Sequence, residues 1–370
     1  MIKFITSGES HGKALIAIIE GIPANLSLNE SDINIELKRR QAGYGRGKRM
    51  QLEADNAEIL SGVRKGKTIG SPISIAIWNK DWHKKNDEEI NVPRPGHADL
   101  AGALKYNQND IRNIWERSSA RETAGRVAAG AIAKKMLKIF QIKILSHVLE
   151  IGSIRTDCEL AAGTLQSALM KLDKSSLRCI DKEKEKEMVK LVDIATAKGD
   201  SLGGIFEVIA FGIPVGLGSY AQWNDRLDVK LAGAVMSIPG VKGVEIGLGF
   251  NSARIFGSKM QDEILWDKKK GFLHKTNNAG GIEGGISNSE PILLRAAMKP
   301  IPTLAKPLNS INLKTKKFAK APILRADVCA VPAAGIVAEA MVSIEIASAM
   351  KGKFGGDSIE EMKKNYNAKK

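Results

Sequence analysis

Cysteine is scarce in this chain. Cys158, Cys179 and Cys329 form no CxxC pair and leave an odd count, so neither a disulfide framework nor a zinc site is expected, and small buried hydrophobes are the plain alternative. Long apolar runs are lacking too. Nothing approaches the roughly 18 apolar residues that a membrane-spanning helix needs, and the start, Met1 to Thr6, has too short an apolar stretch for a signal peptide and no Arg/Ser bias of a transit peptide. The cytoplasm is therefore the default compartment and no membrane partner is expected. Aromatics make up only 5% of the chain, which weakens any single-strand binder that stacks bases. Familiar nucleotide and metal motifs are missing as well. Gly62 to Thr68 resembles a P-loop but has three residues between its glycines where the phosphate cradle needs four. No GxGxxG opens a helix after a strand, no HExxH occurs, and no two of the five histidines stand at metal spacing.

What is present is ordinary in bulk: 370 residues, 43% hydrophobic and 26% charged. At about 150 residues per domain this suggests two domains or one large unit. The formal charge of +15 suits nucleic acid, an anionic surface or a polyanionic small substrate, or serves solubility alone.

The chain carries an internal repeat. Residues 8–23, GESHGKALIAIIEGIP, align without gaps to 199–214, GDSLGGIFEVIAFGIP, with seven of sixteen positions identical. The apolar run in each copy reads as a strand. Helical spacing follows in both, through Asp32, Ile33 and Leu37 and through Leu227, Leu231, Ala234 and Val235. Later, VAAGAIAKKM (127–136) matches PAAGIVAEAM (332–341) at five of ten positions. Two similar α+β halves are expected, near 1–140 and 199–350, about a pseudo-two-fold axis, with 141–198 between them and a single unit spanning 1–350. The intervening stretch has an alternating segment, Ile142 to Ile154, and a charged helix candidate, Asp181 to Lys198, stopped by Gly199. The polar, Lys-rich tail 351–370 is expected to be a frayed helix or disordered.

Two histidines stand in unusual surroundings. His11 lies between glycines in SGESHG. His97 follows Pro93-Arg-Pro-Gly, where two prolines stiffen a loop that also carries Arg94. Such a loop suits anion binding with proton transfer, the alternative being a capping or core histidine. For His147, in a strand pattern, and His274 a structural role is expected; His83 reads as a solvated loop residue. The segment from Arg39 to Arg49 holds four arginines and a lysine among three glycines. It fits carboxylates or phosphates; a solvated basic loop or an RNA-binding segment stay open. Ser119 and Glu122 make an S-x-x-E capping box before a helix with an apolar stripe at Ala128, Ile132, Met136 and Phe140. Arg117 and Arg121 beside that N-terminus suit phosphate. The second half adds the glycine-rich stretch Asn277 to Gly285, the rigid loop Lys299 to Thr303, and Arg325-Ala-Asp327. Asp327 stands where the first half has Ser119, and is either a proton relay or a helix cap.

Together these stretches resemble the chorismate synthases: GESHG, IEGIPA, RRQAGYGRGKRM, PRPGHADL, RSSARETAGRVAAGAIAKK, GDSLGG, KGVEIGLGF, NNAGGIEGGISN, MKPIPT and RADVCAVPAA, spread from Phe4 to about Met350. The resemblance implies a β-α-β sandwich, a homotetramer, and conversion of 5-enolpyruvylshikimate 3-phosphate to chorismate and phosphate by a 1,4-anti-elimination that needs reduced FMN without net redox change. Carried over residue by residue, Arg40, Arg46, Arg49, Arg94, Arg121 and Arg325 match substrate-binding arginines. Arg40 and Arg46 are also the positions associated with NADPH, a possible reductant. His11 matches the acid near the leaving phosphate, His97 the histidine beside flavin N1, and Asp327 the acid proposed to relay a proton at N5. Ser10 and Ser119 match supporting serines. FMN contacts would come from Arg117, Ser118, Ser119, Pro239, Gly240, Gly284, Lys299, Pro300, Ile301, Pro302, Thr303 and Arg325. The chain departs from many relatives in having Pro239-Gly240 for Asn-Ala and a shorter loop from Asn79 to Val92. An NADPH-dependent flavin reductase and a basic RNA-binding protein are the rival readings; the lyase reading expects no nucleic-acid partner.

Overall fold

The computed structural model describes residues 1–47, 54–80, 82, 88–158, 171–172, 174–269, 271–324 and 326–368. Strand β1 (Lys3–Gly8) runs antiparallel to β2 (Ala14–Glu20), with Phe4 opposite Ile19 and Gly8 opposite Leu15. Along β2, Leu15, Ala17 and Ile19 are buried in alternation, the pattern of a strand with one face on a core. β3 (Ala57–Ile59) and β4 (Ile73–Trp78) complete a sheet of order β1-β2-β4-β3. The second sheet holds β5 (Lys143–Ile151), β6 (Ile154–Arg155), β7 (Gly204–Phe211), β8 (Val241–Ile246) and β9 (Ile292–Met298), in the order β8-β9-β7-β5-β6.

Set β5, β7, β8 and β9 beside β1, β2, β3 and β4, and the duplication becomes one of topology: both sheets read first, second, fourth, third. This corrects the expected position of 141–198. The segment is not simply a spacer, because β5 pairs with β7 as β1 pairs with β2. The second copy thus begins near residue 143. Sequence similarity misses its first strand because a strand needs alternation, which many sequences supply.

Helices fill the space between the sheets. α1 (Glu30–Gln41) starts at an Asn29 capping box closed by Asp32. After the short α2 (Asp99–Tyr106) and α3 (Arg112–Ser118) comes α4 (Thr123–Ile139), packed on β2 and β4 on one side and on a late helix on the other. α5 (Lys182–Lys198) is the expected charged helix, capped by Asp181 and stopped by Gly199. α6 (Leu227–Met236) is the second copy's counterpart of α1. The late helix is α7 (Val331–Phe354), which lies against α4, β5 and β7. The α4–α7 contact is close enough that a Cβ on Gly130 would overlap Ala340. At the repeated positions Lys134 and Glu339, opposite charges meet 2.5 Å apart across the two copies.

Two expectations change. α7 is, by length and a mean hydropathy of 1.5, apolar enough to cross a membrane, but 83% of that window is buried inside the protein, which makes it a core helix. The tail is not frayed over its described part: α8 (Ile359–Asn367) buries Ile359, Met362 and Tyr366, and the Tyr366 ring stands edge-on to Phe140 and Phe354.

Candidate active site

The SGESHG segment closes the β1–β2 hairpin. Gly8 has φ +86°, and a Cβ there would run into the carbonyl of Ala14, so the turn demands glycine. Ser10 is fully buried; its N–H donates to the carbonyl of Glu116 (2.9 Å) and its hydroxyl to Ser119 Oγ (3.1 Å). His11 is half exposed and gripped twice by Glu116: its backbone N–H donates to Oε2 (2.7 Å), and Nδ1 lies 3.0 Å from Oε1. This grip aims the imidazole.

Asn79 underpins the same loop. Its Nδ2 donates to the carbonyls of Glu9 (3.0 Å) and Gly12 (2.8 Å), and its Oδ1 accepts from Nε and Nη2 of Arg121. Arg121 Nη1 donates to buried Asp55 (2.5 Å). Arg40, from the last turn of α1, lies 3.6 Å from that carboxylate's other oxygen, donates from Nε to Thr123 Oγ1 and from Nη2 to the Ala120 carbonyl. Burial pushes Arg40 down to about 10; Asp55 opposes that fall, while the like charges of Arg46 and Arg121 add to it. Arg46 and the backbone N–H of Gly47 both donate to Asp327 (2.6 Å each). Asp327 therefore does not cap α7, whose N-terminus at Ala330 has no side-chain cap.

A second group forms around the proline-flanked loop. Arg94 donates from Nε to Asp99 (2.8 Å) and from Nη1 to Thr303 (2.8 Å), and its guanidinium lies 4.6 Å from the centre of the Trp115 ring. His97 Nδ1 lies 2.5 Å from Asp99 Oδ1. Burial acts to raise the Asp99 carboxyl, but hydrogen bonds from His97 and Arg94 outweigh it and hold the group well below the usual range. Lys299 donates to the carbonyl of Gly96, and its backbone N–H to that of Gly240 (2.9 Å), so the 299–303 loop and the Pro239-Gly240 turn join the 93–99 loop. Ser201 fixes that loop by donating to the Ile301 carbonyl (2.6 Å). Helix α3 links the groups: Trp115 lies under Arg94, Glu116 holds His11, and Arg117 donates to Gly8 and Thr6. Ser118 bonds back to Ile114 (2.7 Å) within the helix.

The expected capping box is not formed. Ser119 Oγ accepts from Arg121 N–H across a short 3-10 turn, and the Glu122 carboxylate pairs with Arg126. The turn intervenes because α4 starts only at Thr123. Gly284 sits in a separate hairpin turn, and no described contact ties it to the other residues. Arg49, Arg325 and His83 lie outside the described residues. His147 is buried in the second sheet, paired with Glu207 (3.0 Å), as its strand position implied.

Sequence reasoning missed Asp55, Asn79, Glu116, Asp99, Thr123 and Trp115. Only Asp99 had a signal, standing two residues after His97; the others join the site through contacts distant in sequence.

The arrangement is built for anions. Arg40 Nη1 and Arg46 Nε are buried donors with no hydrogen-bond partner among the described residues, a state that costs free energy until an acceptor arrives. No group of three or more His, Cys, Asp or Glu able to hold a metal occurs among the described residues.

Comparison with known proteins decides the family. The family model for chorismate synthase matches residues 2–350. The chain belongs to the chorismate synthase family. A chorismate synthase of Geotalea uraniireducens is 55% identical over 99% of this chain and 98% of its own length, and one of Aquifex aeolicus is 52% identical over 99% and 96%. A solved structure, "Crystal Structure of Chorismate Synthase", superposes with a TM-score of 0.84 at 48% identity, covering 100% of this chain and 97% of its own. Family membership makes the chain an enzyme of the shikimate pathway, a carbon–oxygen lyase acting on phosphates. The clustered arginines and two histidines are thus set in a lyase framework.

Proposed function

We propose that this chain converts 5-enolpyruvylshikimate 3-phosphate to chorismate and phosphate by 1,4-anti-elimination, with reduced FMN required and no net redox change. The observation that carries the reading is the convergence of Arg40, Arg46 and Arg121 on one buried spot with two donor nitrogens unsatisfied. The substrate has two carboxylates and a phosphate, about three to four negative charges near neutral pH. Burying them without cations would cost many kcal/mol.

In this reading Arg40, Arg46, Arg49, Arg94, Arg121 and Arg325 hold those anionic groups. His11, aimed by Glu116, gives a proton to the departing phosphate oxygen. Ser10 and Ser119 hold the loop and the 3-10 turn in register. The donor set also suits a flavin: Lys299 joins the turn at Gly240 to the carbonyl of Gly96, the residue before His97. With Arg117, Ser118, Ser119, Pro239, Gly284, Pro300 to Thr303 and Arg325 these residues would hold FMN. Held there, reduced FMN would supply electron density for the breaking allylic C–O bond and a base for the C6 proton. His97, held by Asp99, would stabilise the reduced ring, and Asp327, held by Arg46 and Gly47, would relay a proton to and from it. The protein orients both molecules and excludes oxidant. The compartment that goes with this reading is the cytoplasm. The assembly in this reading is a homotetramer; Phe250, Phe256, Trp266 and Phe272, each at least 66% exposed, support a contact between subunits without fixing their number.

Anaerobic turnover with chemically reduced FMN, followed by chorismate absorbance and phosphate release, tests the reading. Product only with pre-reduced FMN marks a synthase that needs an external reductant; product also with NADPH and oxidised FMN adds a flavin reductase activity. No product from folded, FMN-loaded protein overturns the proposal. His11→Ala and His97→Ala are each expected to lower kcat on the order of 10²–10⁴-fold.

A further inference from the structure

We propose that Asp55 is a positioning residue that sets the spacing of Arg40 and Arg121 and offsets part of their charge without consuming the donor that Arg40 offers to the substrate. The proposal rests on the functional reading above.

Asp55 is buried and sits just past the described end of the arginine-glycine segment. Its backbone N–H donates to Gln41 Oε1 (3.1 Å), which ties it to the residue following Arg40. Its two oxygens are used unequally. Oδ1 takes a short bond from Arg121 Nη1 (2.5 Å), whereas Oδ2 pairs with Arg40 Nη1 at 3.6 Å, an ion pair beyond hydrogen-bond reach, and neither of those two atoms has a hydrogen-bond partner among the described residues. The far edges of both guanidiniums are clamped, Arg121 by Asn79 and Arg40 by Thr123 and the Ala120 carbonyl.

The carboxylate therefore faces two like charges whose other edges are fixed. Remove it, and two buried guanidiniums face one another without the carboxylate between them, leaving only the weaker pull of Asp327 on Arg40, at a site where water cannot screen them. They must then shift apart, and the spacing that matches the substrate's anionic oxygens is lost. Because the contact to Arg40 is charge without a hydrogen bond, Nη1 stays available. Asp55 acts through the arginines and touches no reacting atom.

Asp55→Asn in the full-length, FMN-loaded enzyme is expected to raise KM about 10-fold or more while kcat stays within about twofold. Calorimetric titration of flavin-free protein with 5-enolpyruvylshikimate 3-phosphate should show the same loss of affinity. A purely structural role would lower the folded fraction, and with it apparent kcat, at unchanged KM and Kd; that outcome overturns the proposal, as does tighter binding. In an Arg121→Lys background the same substitution should cost far less, and an equal cost in both backgrounds also overturns it. If Asp55→Asn does not fold, Asp55→Glu keeps the charge and moves it by one methylene; a raised KM supports the proposal and an unchanged KM overturns it. Wild-type protein that neither binds nor turns over the substrate instead overturns the functional reading, and the proposal with it.

Discussion

Arg39 and Arg40 are neighbours on α1, yet they serve two different buried charge clusters. Arg39 reaches Glu339, which is fully buried on α7. That carboxylate accepts from Arg39 at both oxygens, from Lys134, and from the N–H and hydroxyl of Ser146, with Arg178 close by. Glu36 closes the ring on Arg39 and Lys134. Every lone-pair direction of Glu339 is used, and its donors come from both copies of the fold. Arg40 reaches the other cluster, with Asp55, Arg46, Arg121 and Asp327, where bonding is incomplete at Arg40 Nη1, Arg46 Nε and Asp55 Oδ2. A buried carboxylate with every acceptor site met, as Glu339 is, spends its free energy on joining elements; donors without acceptors, as at Arg40 and Arg46, keep part in reserve for a ligand.

The sharpest way to break this contrast is Glu339→Gln. It leaves Arg39, Lys134 and Arg178 short of a buried counter-charge and should lower unfolding free energy by about 3 kcal/mol in denaturant melts. KM in the surviving folded enzyme should be unchanged, and a raised KM would mean the two clusters are coupled. Arg40→Lys is the converse. It keeps the charge and loses the fork, so kcat/KM should fall by a factor equivalent to about 2 kcal/mol, roughly 30-fold, with a smaller change in stability.

Acid separates the clusters too. Burial acts to raise Glu339, but Arg39, Lys134 and Arg178 outweigh it and hold the carboxyl well below its ordinary value of 4.5; Glu36 is lowered as well, by Lys134 and Arg39 against its own burial. Groups with depressed folded-state values contribute stability that is fully present above the ordinary carboxylate range and is lost as pH falls through it toward the folded value. Wild-type denaturant midpoints should thus fall below about pH 4.5, and Glu339→Gln should flatten that fall. Smallest of all is the control on α5: Lys186→Ala removes an exposed ion pair with Glu183 and should leave the midpoint unmoved.

Much of this was legible in the sequence. The repeated G-[ED]-S-x-G strands, the helix that follows each of them and the Ala-rich helix pair pointed to both copies. SGESHG, PRPGHAD and the arginine-glycine segment located His11, Arg94, His97, Arg40 and Arg46. Motifs work here because glycine and proline mark backbone that few other residues could adopt. Asp55, Asn79 and Glu116 had no such mark. Each is a single polar residue whose role is created by a partner 42 to 105 positions away, as in Asn79 with Arg121, Asp55 with Arg121 and Glu116 with His11. The first strand of the second copy escaped for the opposite reason, since alternation alone says nothing of which sheet a strand joins.

The position of α7 has a consequence for how the molecule is made. α4 is complete by residue 139, but the partner that covers its glycine face comes only with residues 331–354. During synthesis the first copy emerges with its helix layer uncovered and stays so while the second copy's strands are added. Its core closes only once residues 331–354 have been made, so the contact that completes it is a late, long-range one.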